Sequence, residues 1–165
     1  MAEAFLGQAA FDRGLDVTAS SAGTLPGERD IPYDTLDAIG RGGLDMTGHR
    51  SRLLTPELVA GADLVLGMGQ EHVREVVMLD DDAWLRSFTL REIVRRGSKL
   101  GPRRPDQEFR QWLSLVHAGR QRRDLLGPDT GDNIADPVEG GRSVVKATAR
   151  EIRDLTTRLL ELIAS

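Results

Sequence analysis

The sequence predicts an α/β fold built on a small parallel sheet. Three observations carry this. Strand-like segments are each followed by helix, or by loop and helix, which is the order of an α/β domain. Asp63-Leu64-Val65-Leu66-Gly67-Met68 is nearly continuously apolar, which suits a strand covered on both faces. The chain also opens and closes on patterns with one apolar helix face.

In the opening helix, Ala2, Phe5, Leu6, Ala9 and Ala10 share that face, and Gly14 sits where a C-cap glycine belongs. Leu15, Val17 and Ala19 alternate with Asp16, Thr18 and Ser20, a period of two that predicts a short strand. Ser21–Thr24 ends it, and Leu25–Pro32 is a loop. A helix follows around Tyr33–Arg41, stopped by Gly42 and Gly43. Thr55-Pro56 marks another helix start, with Thr as N-cap and Pro at the first helical position. After the Asp63–Met68 strand, Gln70–Leu79 reads as a helix with Val73, Val76 and Val77 inward.

Trp84–Phe88 is a candidate strand, and Thr89 caps a short helix through Arg95. Asp106 is expected to cap the next helix, with Phe109, Trp112, Leu113 and Val116 inward and Arg120–Arg123 at its end. Leu126–Gly141 is an acidic, glycine-rich loop. The last helix carries Val145, Thr148, Ile152, Leu155, Leu159 and Ile163 on one face. Three strands in all give a doubly wound sandwich with a small sheet.

One domain over residues 1–165 is the default for this length. A hydrophobic content of 39% argues for a globular core. The net charge of −4 gives no reason to expect nucleic acid or an anionic membrane as partner. Cysteine is absent, which removes disulfides, thiolate metal sites and a cysteine nucleophile from these residues. With no apolar run of membrane-spanning length and no signal-peptide pattern, a soluble cytoplasmic protein is the expectation.

The segment Asp129–Gly141 carries Asp129, Asp132, Asp136 and Glu139. It lacks EF-hand spacing, so a metal site is the weaker reading. A solvated acidic loop and a general acid at Asp136 remain, because Asp-Pro holds a carboxyl group in a stiff position. His49 is a catalytic candidate or a hydrogen-bonding support, and Ser21 a nucleophile or a turn residue. Arg50 and Arg52 read as an anion site or a solvated basic face. The scattered histidines make no metal motif, and no cofactor is expected.

Taken together, several segments resemble the low-molecular-weight protein-tyrosine phosphatases, whose relatives include arsenate reductases. Met1-Ala2-Glu3-Ala4-Phe5-Leu6 looks like the continuation of that family's C-x5-R-S phosphate loop. Ser20–Thr24 is similar to its Ser-Ala-Gly turn, and Gly48–Thr55 to its His-x-x-Arg-x-Leu-Thr segment. Asp63–Met68 resembles its Asp-x-(apolar)-x-x-Met strand. Asp136-Pro137 resembles its general-acid Asp-Pro, although Val138-Glu139 replaces the aromatic pair that often follows.

The resemblance implies a three-layer α/β sandwich with strand order 2-1-3-4. It also implies phosphomonoester hydrolysis through a cysteinyl-phosphate, with Asp136 as general acid. Glu3, Ser21 and His49 would brace the phosphate loop. The substrate would be a phosphotyrosine protein or a small phosphate ester.

The family's first strand, nucleophilic Cys and loop Arg fall before Met1, so the expectation is a chain truncated before or within the loop, and inactive as it stands. The missing strand would leave an open slot between Leu15–Ser20 and Asp63–Met68, inviting self-association. The alternative is a non-catalytic relative that acts as a binding module.

Overall fold

The computed structural model describes residues 1–24, 33–40, 49–128, 131–136 and 141–164. The expected loop at 25–32, the glycines at 42 and 43, Asp129 and residues 137–140 lie outside them. Two compact units emerge, Met1–Leu53 with Ala135–Leu160, and Leu54–Ile134 with Glu161–Ser165. The architecture is α/β, a small parallel sheet among many helices.

The first unit begins with helix α1, Ala2–Asp12, which buries Phe5 and Ala10. Its end is the one the sequence predicts. Gly14 takes a φ of +64°, the Gly14 N–H donates to Phe11 O, and the Leu15 N–H donates to Ala10 O. These are the two bonds of a Schellman cap, and a side chain at Gly14 would be strained. Residues 15–20 form no strand. Alternation marks which faces differ, but a strand also needs a partner for its backbone groups. Here the Val17 N–H turns back to Leu15 O, and the nearby pairing is one parallel bridge, Gly23 to Leu53.

Helix α2, Tyr33–Gly40, is followed later in this unit by α7, Arg142–Ile163, whose residues up to Leu160 belong to it. Arg142 pairs with Asp34 at 3.1 Å, and Arg153 lies 4.8 Å from the centre of the Phe5 ring. Of the expected α7 stripe, Val145, Thr148, Ile152 and Leu159 are buried, and Leu155 and Ile163 are half-buried.

The second unit holds the sheet. Strand β1, Val65–Gly67, pairs in parallel with β2, Ser87–Thr89, in the register Val65 to Ser87, Leu66 to Phe88 and Gly67 to Thr89. The chain joins them through α4, Gln70–Leu79, forming a βαβ unit. Thr55 caps α3, Pro56–Ala60, through its hydroxyl, as its sequence predicts. The strand expected at 84–88 is shorter and later. Residues Asp81–Arg86 wind into a 3-10 turn, whose start Asp80 caps by accepting from the Asp82 N–H.

Thr89 caps α5, which runs from Leu90 to Leu100, past the expected stop at Arg95. Helix α6, Phe109–His117, starts after Glu108 rather than at an Asp106 cap. It ends before Arg120, and Arg122–Leu126 forms a separate 3-10 turn. Trp112, Leu113 and Val116 of α6 are buried, as their spacing requires. Among the described residues, no helix is long and apolar enough to cross a membrane.

Candidate functional site

Three of the four residues singled out in the sequence meet in the first unit. Glu3 projects from the first turn of α1, Ser21 follows segment 15–20, and His49 precedes the Gly23–Leu53 bridge. The Ser21 hydroxyl donates a hydrogen bond to Glu3 Oε2. His49 Nδ1 stands 3.6 Å from the same oxygen, in ion-pair range when the imidazole is protonated. Both side chains of that pair are partly covered, 20% exposed for His49 and 28% for Glu3.

Arg52 completes the arrangement. Its Nε–H donates to Ser21 O at 2.9 Å, and the Gly23 N–H donates to Arg52 O at 2.8 Å. Arg52 therefore braces the Ser21 turn, a role its sequence context left between an anion site and a solvated face. A carboxylate that accepts from a hydroxyl and faces an imidazole is a fixed polar anchor beside the start of a helix.

Asp136 is exposed and belongs to the same unit. The segment just before it, in the second unit, is closely held. Asp132 is buried and takes a two-pronged pair from Arg95, at 2.9 and 2.7 Å. That pairing raises the Arg95 pKa, chiefly through its hydrogen bonds to Asp132. Arg91 Nη1 donates to Asn133 O at 2.6 Å and to Gly131 O at 3.1 Å.

The Asn133 side chain accepts from the Gln70 N–H at 2.9 Å, and the Ile134 N–H donates to Met68 O at 2.7 Å. A wholly solvated acidic loop is thus the wrong reading for Asp132, because its carboxylate is buried against a guanidinium. Sequence reasoning passed over Arg91, Arg95 and Asn133. The one available signal was the i, i+4 spacing of the two arginines on a helix.

The second unit also contains a cavity of about 350 Å³ at the C-terminal ends of the two strands. Gln70, Thr89, Glu92, Arg95, Arg120 and Asp132 line it. Arg95 and Arg120 pair with the Asp132 and Glu92 carboxylates, and Arg96, also in the lining, donates to the Val116 and Ala118 carbonyls. Among the described residues, no group of three or more His, Cys, Asp or Glu could hold a metal ion.

The family model for the low molecular weight phosphotyrosine protein phosphatases matches residues 1–102. A curated relative from Ralstonia solanacearum, "Probable low molecular weight protein-tyrosine-phosphatase EpsP", is 37% identical over 119 residues, covering 72% of this chain and 80% of its own. The low molecular weight protein tyrosine phosphatase from T. tengcongensis superposes with a TM-score of 0.69 at 25% identity, over 97% of this chain and 87% of that one. The YwlE arginine phosphatase from Geobacillus stearothermophilus has the same fold, with a TM-score of 0.67 at 24% identity over 97% of this chain and 80% of that one. The order of matching segments, the α/β architecture and these similarities agree, and the chain belongs to the low molecular weight phosphotyrosine protein phosphatase family.

Proposed function

We propose that residues 1–165 form one phosphatase-like domain whose chemistry is phosphomonoester hydrolysis, with Asp136 as general acid. In this reading Glu3, Ser21 and His49 brace a phosphate-binding loop. The observation that carries it is the meeting of Ser21 and His49 on the Glu3 carboxylate, three groups brought together from separate segments. A loop that aims several amides at one anion needs such support, because small displacements of its donors are expensive. Asp136 would protonate the leaving alcohol or phenol as the P–O bond breaks. The substrate is a phosphotyrosine protein or a small phosphate ester in a soluble, cytoplasmic setting.

The cysteinyl-phosphate route needs a thiolate, and none of these 165 residues is cysteine. Residues 1–165 alone are therefore expected to leave an aryl phosphate unhydrolysed. Joining the family's strand and C-x5-R-S loop ahead of Ala2 should restore turnover. An extended protein that folds yet stays inactive would sink this reading.

The missing cysteine also supports a second reading, a non-catalytic relative that acts as a binding module. Retained binding of a phosphopeptide by residues 1–165, with no turnover after extension, would favour it. Self-association is part of the proposal too. Among the described residues the sheet has only two strands, and short open sheets recruit further strands. Sedimentation of residues 1–165 as a monomer at all concentrations would count against that.

A further inference from the structure

We infer that Arg91, Arg95 and Asn133 are positioning residues for the general acid, because they lock the stem from which the chain reaches Asp136. The inference rests on the reading of Asp136 as the acid. The stem is residues 131–134, and it is gripped from two directions. From α5, Arg95 clasps the buried Asp132 carboxylate with both prongs of its guanidinium, and Arg91 binds the Gly131 and Asn133 carbonyls. Four residues apart on one helix, the two arginines project from the same face. From the turn between β1 and α4, Met68 O accepts from the Ile134 N–H, and the Gln70 N–H donates to the Asn133 side chain.

Both grips start from the C-terminal ends of the strands, where ligands bind in open parallel sheets. Asp132 and Ile134 are buried, whereas Asp136, two residues further on, is exposed. The stem is thus held on both sides and in two ways, by charge-assisted bonds and by backbone pairing. A general acid must stand within hydrogen-bond reach of the leaving oxygen, and a displacement of about 1 Å costs on the order of 10²-fold in rate. A bidentate guanidinium–carboxylate pair fixes direction as well as distance, which suits the base of a loop that carries such a group.

The test reads the stem directly in residues 1–165, without enzymatic turnover. Amide hydrogen exchange at Ile134 reports stem opening, and the carboxyl-carbon chemical shift of Asp136 at fixed pH reports the acid's surroundings. In Arg95→Gln, Ile134 should exchange about tenfold faster or more, since hydrogen bonds to charged groups are among the stronger ones. The Asp136 carboxyl-carbon resonance should shift at fixed pH, while amides inside α5 keep their protection. Arg95→Lys should not restore the native values, because an ammonium cannot make the two-pronged contact.

Unchanged Ile134 exchange and an unchanged Asp136 carboxyl resonance would overturn the inference. So would changes that only follow a general loss of protection in α5. If Arg95→Gln does not fold, Asn133→Ala removes the side-chain bond of the second grip and is judged by the same two readouts and the same outcomes. The assignment of Asp136 as acid is tested separately by leaving-group dependence, so either claim can fail while the other stands.

Discussion

The Arg120 guanidinium meets the Glu92 carboxylate through two parallel hydrogen bonds, of 2.7 and 2.9 Å. Its third prong donates to Trp84 O at 3.2 Å, and its Cζ lies 3.9 Å from the Trp84 ring centre and 4.1 Å from that of Phe88. With Arg120 only 3% exposed and Glu92 14%, the pair is nearly withdrawn from water. Burial pulls the Arg120 pKa down and Glu92 pushes it back up, and the guanidinium stays charged.

Breaking one side of such a pair strands a buried charge. Glu92→Ala should therefore lower stability by about 3–5 kcal/mol. The double change Glu92→Leu with Arg120→Leu should cost much less, because no charge is left unmatched. Urea unfolding of the two variants checks this. Equal losses would show that packing, not the stranded charge, sets the cost.

His117 sits beside that pair. Its ring packs edge-on against Trp84 and Phe88, at centroid distances of 5.2 and 6.3 Å, and its Nε2 is buried with no hydrogen-bond partner among the described residues. Burial, then the Arg120 and Arg96 charges, hold its pKa below the usual imidazole value. The fold thus prefers neutral His117, while the unfolded chain takes up a proton near the ordinary value of about 6.5. Stability from this group is complete above the unfolded value and is lost as the pH falls through it towards the folded one. His117→Phe should flatten the loss of stability between about pH 7.5 and 5.5. Identical slopes for variant and parent in urea titrations would remove His117 as the cause.

Gly97 is a point of close approach between α5 and the Trp112 ring. A Cβ there would lie 3.0 and 3.2 Å from two Trp112 ring atoms and 3.1 Å from Leu162 Cδ1. Leu162 can shift, but Trp112 is buried and tied through Nε1 to Gly101 O at 3.1 Å. Gly97→Ala gains about 1 kcal/mol of helix propensity, against roughly 1–3 kcal/mol for overpacking. A net loss of stability is expected, read as a lower melting temperature by calorimetry. A higher one would mean that the ring has room to move.

What could be read in the sequence was local. Thr55 and Thr89 cap the helices they precede, Gly14 closes α1, and the stripe of α7 is buried, because each depends on residues within a few positions. Residues 15–20 were misread for the opposite reason, since alternation describes a face and not a partner. Residues 81–86 became a 3-10 turn because the Asp80 cap acts ahead of the apolar pattern. The family's motif order pointed to Glu3, Ser21 and His49, and the structure brings them together. Nothing local marks the bond from Arg95 to Asp132, 37 residues away, or that from Arg120 to Glu92, 28 away.

The most direct test of the central claim is the leaving-group dependence of aryl phosphate hydrolysis by the chain extended with the family's strand and phosphate loop, compared with its Asp136→Asn form. General-acid catalysis contributes about 10²–10⁴-fold, so the variant should be slower by that order on esters of weakly acidic phenols. It should lose much less on esters of strongly acidic phenols, which leave without a proton. An equal rate for both forms across the whole series would contradict the assignment of Asp136 as the acid.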